Sequence, residues 1–202
     1  MIVIIDYDVG NLASVAKGFE RAGMTVTISK DPVVIEQASV LILPGVGAFG
    51  DAMHALQQSG LVPLIKNHVT SGQYLFGICL GMQLLYETSF EHGRHDGLGL
   101  LQGTIEYLDA SPKVPHMGWN QLIFEQPKSL LLRHIKEKEH VYFVHSYYVN
   151  TTMAHVVAYA DYGVSIPAIV HQDNIIATQF HPEKSGRTGL NLLKAFKELI
   201  NT

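Results

Sequence analysis

Cys79 is the only cysteine in the chain, and it sits between Gly77 and Gly81 in the run Y-L-F-G-I-C-L-G-M-Q-L-L-Y over residues 74–86. An apolar β-rich stretch precedes it and an amphipathic stretch follows. This is a nucleophile elbow with sulfur in place of a serine hydroxyl. A sharp strand-to-helix turn holds its central residue under strain, and glycines are needed where neighbouring chain comes close. The thiol then lies at a strand end and a helix start, where N–H groups and the helix dipole favour a thiolate. A nearby backbone N–H can also receive an oxyanion. An isolated intracellular cysteine is more often a small buried hydrophobe. Two flanking glycines at this spacing argue for a nucleophile, and a nucleophile needs a base.

The chain has 11 histidines, and one stands out by its context. His181 lies in Q-F-H-P-E-K-S just after an apolar run, with Glu183 two residues on. In extended backbone, residues i and i+2 share a side, and Pro182 stiffens the link. A carboxylate beside an imidazole fixes its tautomer and supports the imidazolium, while the other ring nitrogen takes the thiol proton. Cys79, His181 and Glu183 form a candidate triad for acyl transfer.

The elements that must position these residues follow from the hydrophobic pattern. The first half predicts strands at 1–5, 25–29, Val40–Leu43 and Tyr74–Ile78. Helices are predicted from the loop at 6–11 to about Ala22, at Phe49–Gln58, at 61–70, and after Cys79 through Tyr86. Alternating strands and helices with β-branched strands imply an α/β fold with a doubly wound, mainly parallel sheet and flanking helices. In such sheets ligands sit beyond the carboxyl ends of the strands. The loops at 6–11, 44–50 and Cys79 should therefore share one rim. The second half predicts a smaller antiparallel region of short strands, among them 103–108, 141–145, 156–159, 166–171 and 175–180, with a turn at Asp173-Asn174. An amphipathic helix at 189–200 closes the chain. No linker and no second core is visible, so 1–202 reads as one domain.

Composition narrows the function classes. A net charge of −4 argues against a broad nucleic-acid surface. A single cysteine excludes an internal disulfide and fits a reducing, cytoplasmic setting. The apolar run Ile2–Ile5 is too short, and too acidic at its end, for a signal peptide or membrane span. Scattered histidines and the lack of a second cysteine imply no metal and no cofactor.

F-G-I-C-L-G-M-Q-L-L together with Q-F-H-P-E-K-S resembles the class I (triad) glutamine amidotransferases, which hydrolyse glutamine to glutamate and ammonia. The resemblance spans essentially the whole chain. It implies that Cys79 is the nucleophile, His181 the base and Glu183 the acid that orients it. It also implies that Gln83 helps hold the substrate, that Glu91 meets its amino group, and that His145, Ser146 and Tyr147 bind its carboxylate. The oxyanion would be met by Leu80 and by the Gly45, Val46 and Gly47 strand.

Three further segments are similar to the glutaminase subunits of imidazole glycerol phosphate synthases. They are D-Y-D-V-G-N-L-A-S from Asp6, P-G-V-G-A-F from Pro44, and P-H-M-G-W-N from Pro115. Most relatives carry two adjacent glycines after the proline, so Val46 marks a branch. The resemblance implies a separate (β/α)8 cyclase as partner, docking near Asn11, Met117, Trp119 and Asn120, in histidine biosynthesis. A triad amidotransferase serving another synthase, a cysteine hydrolase working alone and a catalytically dead binding subunit stand as alternatives.

Overall fold

The computed structural model describes residues 1–109 and 113–201. Its elements in chain order are strand β1 (Ile2–Ile5), helix α1 (Leu12–Arg21), β2 (Val26–Ser29), α2 (Pro32–Glu36), β3 (Val40–Leu43), α3 (Phe49–Gln58), α4 (Val62–Thr70), β4 (Tyr74–Ile78) and α5 (Leu80–Gln83). Then come the short strands β5 (Thr88–Ser89), β6 (His95–Asp96), β7 (Thr104–Tyr107), β8 (His116–Gln121) and β9 (Ile123–Phe124). The chain ends with β10 (His140–His145), β11 (Tyr147–Asn150), β12 (Val156–Asp161), β13 (Ser165–Gln172), β14 (Ile175–Thr178) and α6 (Gly186–Leu199).

The central sheet has eight strands in the order β2-β1-β3-β4-β14-β13-β12-β9. From β2 to β14 all pairings are parallel, and beyond β14 they are antiparallel. Alternation along the strands divides the core between two faces. Ile4, Ile42, Phe76 and Ile176 point to the side where α1 and α6 bring Val15, Phe19, Leu193 and Phe196. Val3, Ile5, Leu41, Leu43 and Leu75 point to the other, where α3 and α4 bring Phe49, Leu56 and Ile65. Strands covered on both faces can be apolar throughout, which explains V-L-I-L at β3. Two small sheets, β10-β8 and β11-β7-β5-β6, stand beside the main one.

The expected α/β fold with a parallel core is present, as is the antiparallel region of the second half. Several local expectations fail. Helix α2 was not anticipated, although Asp31 accepts a hydrogen bond from Val33 N and Pro32 fills the first turn, a strong N-terminal signal. The sequence predicts no strand at β8, where Gly118 and Asn120 disfavour one on either side of Trp119; its pairing with β10 from His116↔His145 to Gln121↔His140 holds it extended. Helix α6 starts at Gly186 rather than 189, and β14 stops at Thr178 rather than 180. Helix α5 stops after Gln83, short of Tyr86, since the chain turns away to pair Leu98 N with Leu84 O. Among the described residues no helix is long and apolar enough to cross a membrane.

Candidate active site

Three adjacent parallel strands, β3, β4 and β14, end on the same rim. Each delivers one part of the site: β3 the loop 44–47, β4 Cys79, and β14 the segment leading to His181. Cys79 N is tied to the last residue of β14 by a bond to Thr178 O of 2.7 Å. The cysteine has φ +55° and ψ −112°, a strained conformation for a residue with a Cβ. The glycine demand is visible at two positions. A Cβ on Gly81 would run into the Leu43 carbonyl, and one on Gly45 would lie 2.8 Å from Gly81 N. The elbow and the loop after β3 are thus in direct backbone contact.

His181 and Glu183 meet, but by a different route from the extended i, i+2 geometry expected. Pro182–Lys184 is a 3-10 turn, and Glu183 Oε1 reaches His181 Nδ1 at 2.8 Å across it. Both side chains are almost fully buried. Burial alone would disfavour the imidazolium. Hydrogen bonds to Cys79 and Glu183 outweigh it and raise the His181 pKa to about 9. A one-turn α5 adds little dipole at the thiol, so the charge balance expected from that helix falls chiefly to His181. The turn is stitched down by Ser185, whose Oγ donates to His181 O at 2.7 Å and accepts from Tyr142 N at 2.9 Å. Helix α1 presses on the acid at Gly18, where a Cβ would come 2.7 Å from Glu183 Cβ.

Cys79, Leu80 and His181 line a cleft of about 440 Å³ together with Val46, Gly47, Gln83, Glu91, His145, Ser146 and Tyr147. Leu80 N, Val46 N and Gly47 N donate to no acceptor among the described residues, so backbone donors remain available beside the sulfur. Tyr7 holds the loop from behind, its hydroxyl donating to Pro44 O at 2.6 Å. Glu91 Oε2 accepts from Phe49 N at 2.6 Å, capping α3, whose N-cap Ala48 offers no side chain of its own. That bond fixes the carboxylate at the cleft wall.

Also in the cleft lining, Gln83 Nε2 donates to Tyr147 O at 2.9 Å. His145 reaches the same carbonyl through Nδ1 at 3.0 Å, which makes Nδ1 the protonated nitrogen and Nε2 an acceptor. His116 Nδ1 donates to that Nε2 at 2.9 Å, and its own Nε2 accepts from Asn120 Nδ2 at 3.3 Å. Asn120, expected at a partner surface, is therefore also tied inward, and it donates to Asp161 O as well. The other surface residues expected from sequence are open. Asn11 is exposed and caps α1 through Ser14 N. Met117 is 65% and Trp119 56% exposed. A tryptophan so exposed is no core residue.

The relay has a measurable consequence. Burial holds the pKa of His116 at about 4 and that of His145 at about 3, below the ordinary 6.5. Between 6.5 and those values only the unfolded chain takes up these protons. Stability is present above pH 6.5 and drains as pH falls, by up to about 1.4 kcal/mol per pH unit for each histidine. His181 acts in the other direction: raised to about 9, it stabilises fully below 6.5 and loses that contribution as pH rises through 9. Urea midpoints should therefore peak near pH 6.5. His116→Phe should flatten the acid limb and leave the alkaline limb alone; identical acid limbs would contradict the buried neutral pair.

Sequence reasoning missed Tyr7, His116, Gln179 and Ser185 as working parts, although each lies inside a quoted motif. Gly18 carried no signal at all.

The family model for class-I glutamine amidotransferases matches residues 3–199. The chain is a class-I glutamine amidotransferase. At subfamily level it is 50% identical over 197 residues to the imidazole glycerol phosphate synthase subunit HisH of Aquifex aeolicus, covering 96% of this chain and 95% of that one. It is 49% identical to the HisH of Syntrophotalea carbinolica, covering 98% and 100%. This amidotransferase also shares its fold with solved structures, among them a glutamine amidotransferase with TM-score 0.78 and 20% identity over the full length of both chains. PurLQS from Thermotoga maritima follows with TM-score 0.76, 20% identity and coverage of 99% and 97%.

Proposed function

We propose that this amidotransferase is the glutaminase subunit of an imidazole glycerol phosphate synthase. It hydrolyses glutamine to glutamate and ammonia and passes the ammonia to a (β/α)8 cyclase in histidine biosynthesis. The observation that carries the reading is the meeting on one cleft of Cys79, the His181–Glu183 pair and backbone N–H groups that have no partner among the described residues. Identity near 50% to HisH subunits over almost the whole chain supports the synthase. The amidotransferase domain is taken to be the entire 1–202, and the single cysteine supports a cytoplasmic setting.

The steps are those of a nucleophile, base and acid triad. The proton shared by Cys79 and His181 resides on the imidazole when sulfur attacks, in keeping with the raised pKa of His181, and Glu183 stabilises that imidazolium. The thiolate adds to the side-chain amide carbon of glutamine. Leu80 N–H and an N–H of the 45–47 loop meet the oxyanion. Ammonia departs with a proton from His181, leaving a glutamyl thioester on Cys79. His181 then deprotonates a water that attacks the thioester, and glutamate leaves as the thiol is restored. Glu91 would meet the substrate's amino group, and the 145–147 backbone, which Gln83 bonds at Tyr147 O, its carboxylate.

Met117 and Trp119 project from β8, on the strand that pairs with the cleft-lining Val144 and His145. Trp119 meets Tyr142 edge-on, at 6.0 Å between ring centres, and its tip lies over Gly186. A large exposed aromatic on a strand paired with the cleft-lining strand suits an interface anchor. Trp119→Ala should weaken cyclase binding or coupling by more than about 1 kcal/mol and leave the melting temperature of the isolated chain unchanged. Unaltered affinity and coupling by titration calorimetry would remove Trp119 from the interface. The function itself is tested by mixing the chain with a cyclase and its nucleotide substrate. Glutamine should then yield imidazole glycerol phosphate. Product from ammonia but none from glutamine would overturn the reading.

A further inference from the structure

Gln179 takes part in none of these steps, yet its side chain is fully buried between β14 and His181. Its two amide atoms face different neighbours. Oε1 accepts from Gln83 Nε2 at 3.0 Å, and Nε2 lies 3.9 Å from Cys79 Sγ, within hydrogen-bonding reach of sulfur. Which atom is which follows from the surroundings. Tyr147 O only accepts, so the Gln83 atom 2.9 Å from it is Nε2. That same nitrogen meets Gln179, so the facing atom there is Oε1, and Nε2 is left for the sulfur.

The sulfur's other partners make this donor significant. Val144 O lies 3.9 Å away and accepts from the thiol. A carbonyl serves an S–H and offers nothing to a thiolate. Once the proton moves to His181, sulfur needs donors, and Gln179 supplies one from a buried site where hydrogen bonds to charge are strongest. Its length and its bond to Gln83 keep the N–H aimed before glutamine arrives. We infer that Gln179 is a further catalytic residue, whose side-chain N–H donates to the Cys79 thiolate and so favours the attacking form. Because Gln83 also bonds Tyr147 O, the same chain of amides connects the substrate-carboxylate segment to the nucleophile.

This inference rests on Cys79 acting as a nucleophile, and the test does not require glutamine turnover. The probe is iodoacetamide, with the rate of Cys79 alkylation followed over a series of pH values in wild type, Gln179→Met and Gln179→Asn. The first replacement keeps the shape and withdraws the amide; the second keeps the amide but draws it back by one methylene. Thermal melts identify which variants fold. Each folded variant should alkylate about tenfold more slowly than wild type at neutral pH, the scale of one hydrogen bond to a charged group. The gap should close as the pH rises, because the donor matters only while protonation of sulfur competes with attack. Glutamine-dependent kcat, measured with the cyclase, should fall by a similar factor while KM moves little. Equal rates at neutral pH would overturn the inference, as would a deficit of the same size at every pH, which marks altered access to sulfur. Slow alkylation with a closing gap but no wild-type glutamine turnover would uphold Gln179's role and defeat the glutaminase reading.

Discussion

Cys79→Ala removes glutamine-dependent product formation by about 10⁴-fold or more, the scale of losing a triad nucleophile, and leaves ammonia-dependent synthesis by the cyclase intact. The split follows from where the residue stands. Cys79 lies at the end of β4 and lines the amidotransferase cleft, while the cyclase chemistry belongs to another chain. The elbow is held by backbone packing, through Gly81 against Leu43 and Cys79 N against Thr178 O, and neither contact uses the thiol. Alanine should therefore keep the fold, as a far-ultraviolet spectrum and melting curve would check. Normal glutamine turnover in the variant would end the triad account.

Glutaminase activity should rise by at least about a hundredfold when cyclase and its nucleotide are both added, the scale of gaining one oxyanion donor. The 45–47 loop is the element suited to this control. Val46 is 44% exposed at the cleft edge, and its N–H has no partner among the described residues. Glycines flank it on both sides, Gly47 at φ +93°, and the freedom of Gly45 lets the Gly45–Val46 peptide rotate. A β-branched residue at Val46 resists positive φ, so it opposes one of the peptide's two orientations. Partner contact would shift the population towards the orientation that faces the oxyanion. Val46→Gly should raise the basal rate of the isolated chain. An isolated wild-type chain as fast as the liganded complex would rule out this switch.

The parallel core was readable from sequence because β1, β3 and β4 are apolar on both faces, a pattern that only a sheet covered twice can bury. Cys79 was readable because close approach of Leu43 and Gly81 leaves room for nothing larger than glycine. His181 and Glu183 were paired correctly for an incomplete reason, since the 3-10 turn at Pro182 sets their geometry. What stayed hidden depends on tertiary contact. Gly18 looks like an unremarkable helix glycine until Glu183 is packed against it. His116 and His145 are 29 residues apart, and only the β8–β10 register brings their rings within 2.9 Å. Gln179 lies in the quoted histidine motif, but its direction is fixed by Gln83, 96 residues away.

The central claim is that glutamine passes through a thioester on Cys79. Its most direct test is rapid acid quenching of the chain, in complex with cyclase and nucleotide, during glutamine turnover, followed by mass spectrometry of the peptide containing Cys79. The account predicts a fraction of that peptide heavier by one glutamyl group and sensitive to hydroxylamine, absent in Cys79→Ala. Its fraction should increase in His181→Asn wherever acylation still proceeds, because the water that clears the thioester loses its base. Undiminished turnover with no glutamyl group ever carried by Cys79, or the adduct found on another residue, would contradict the account.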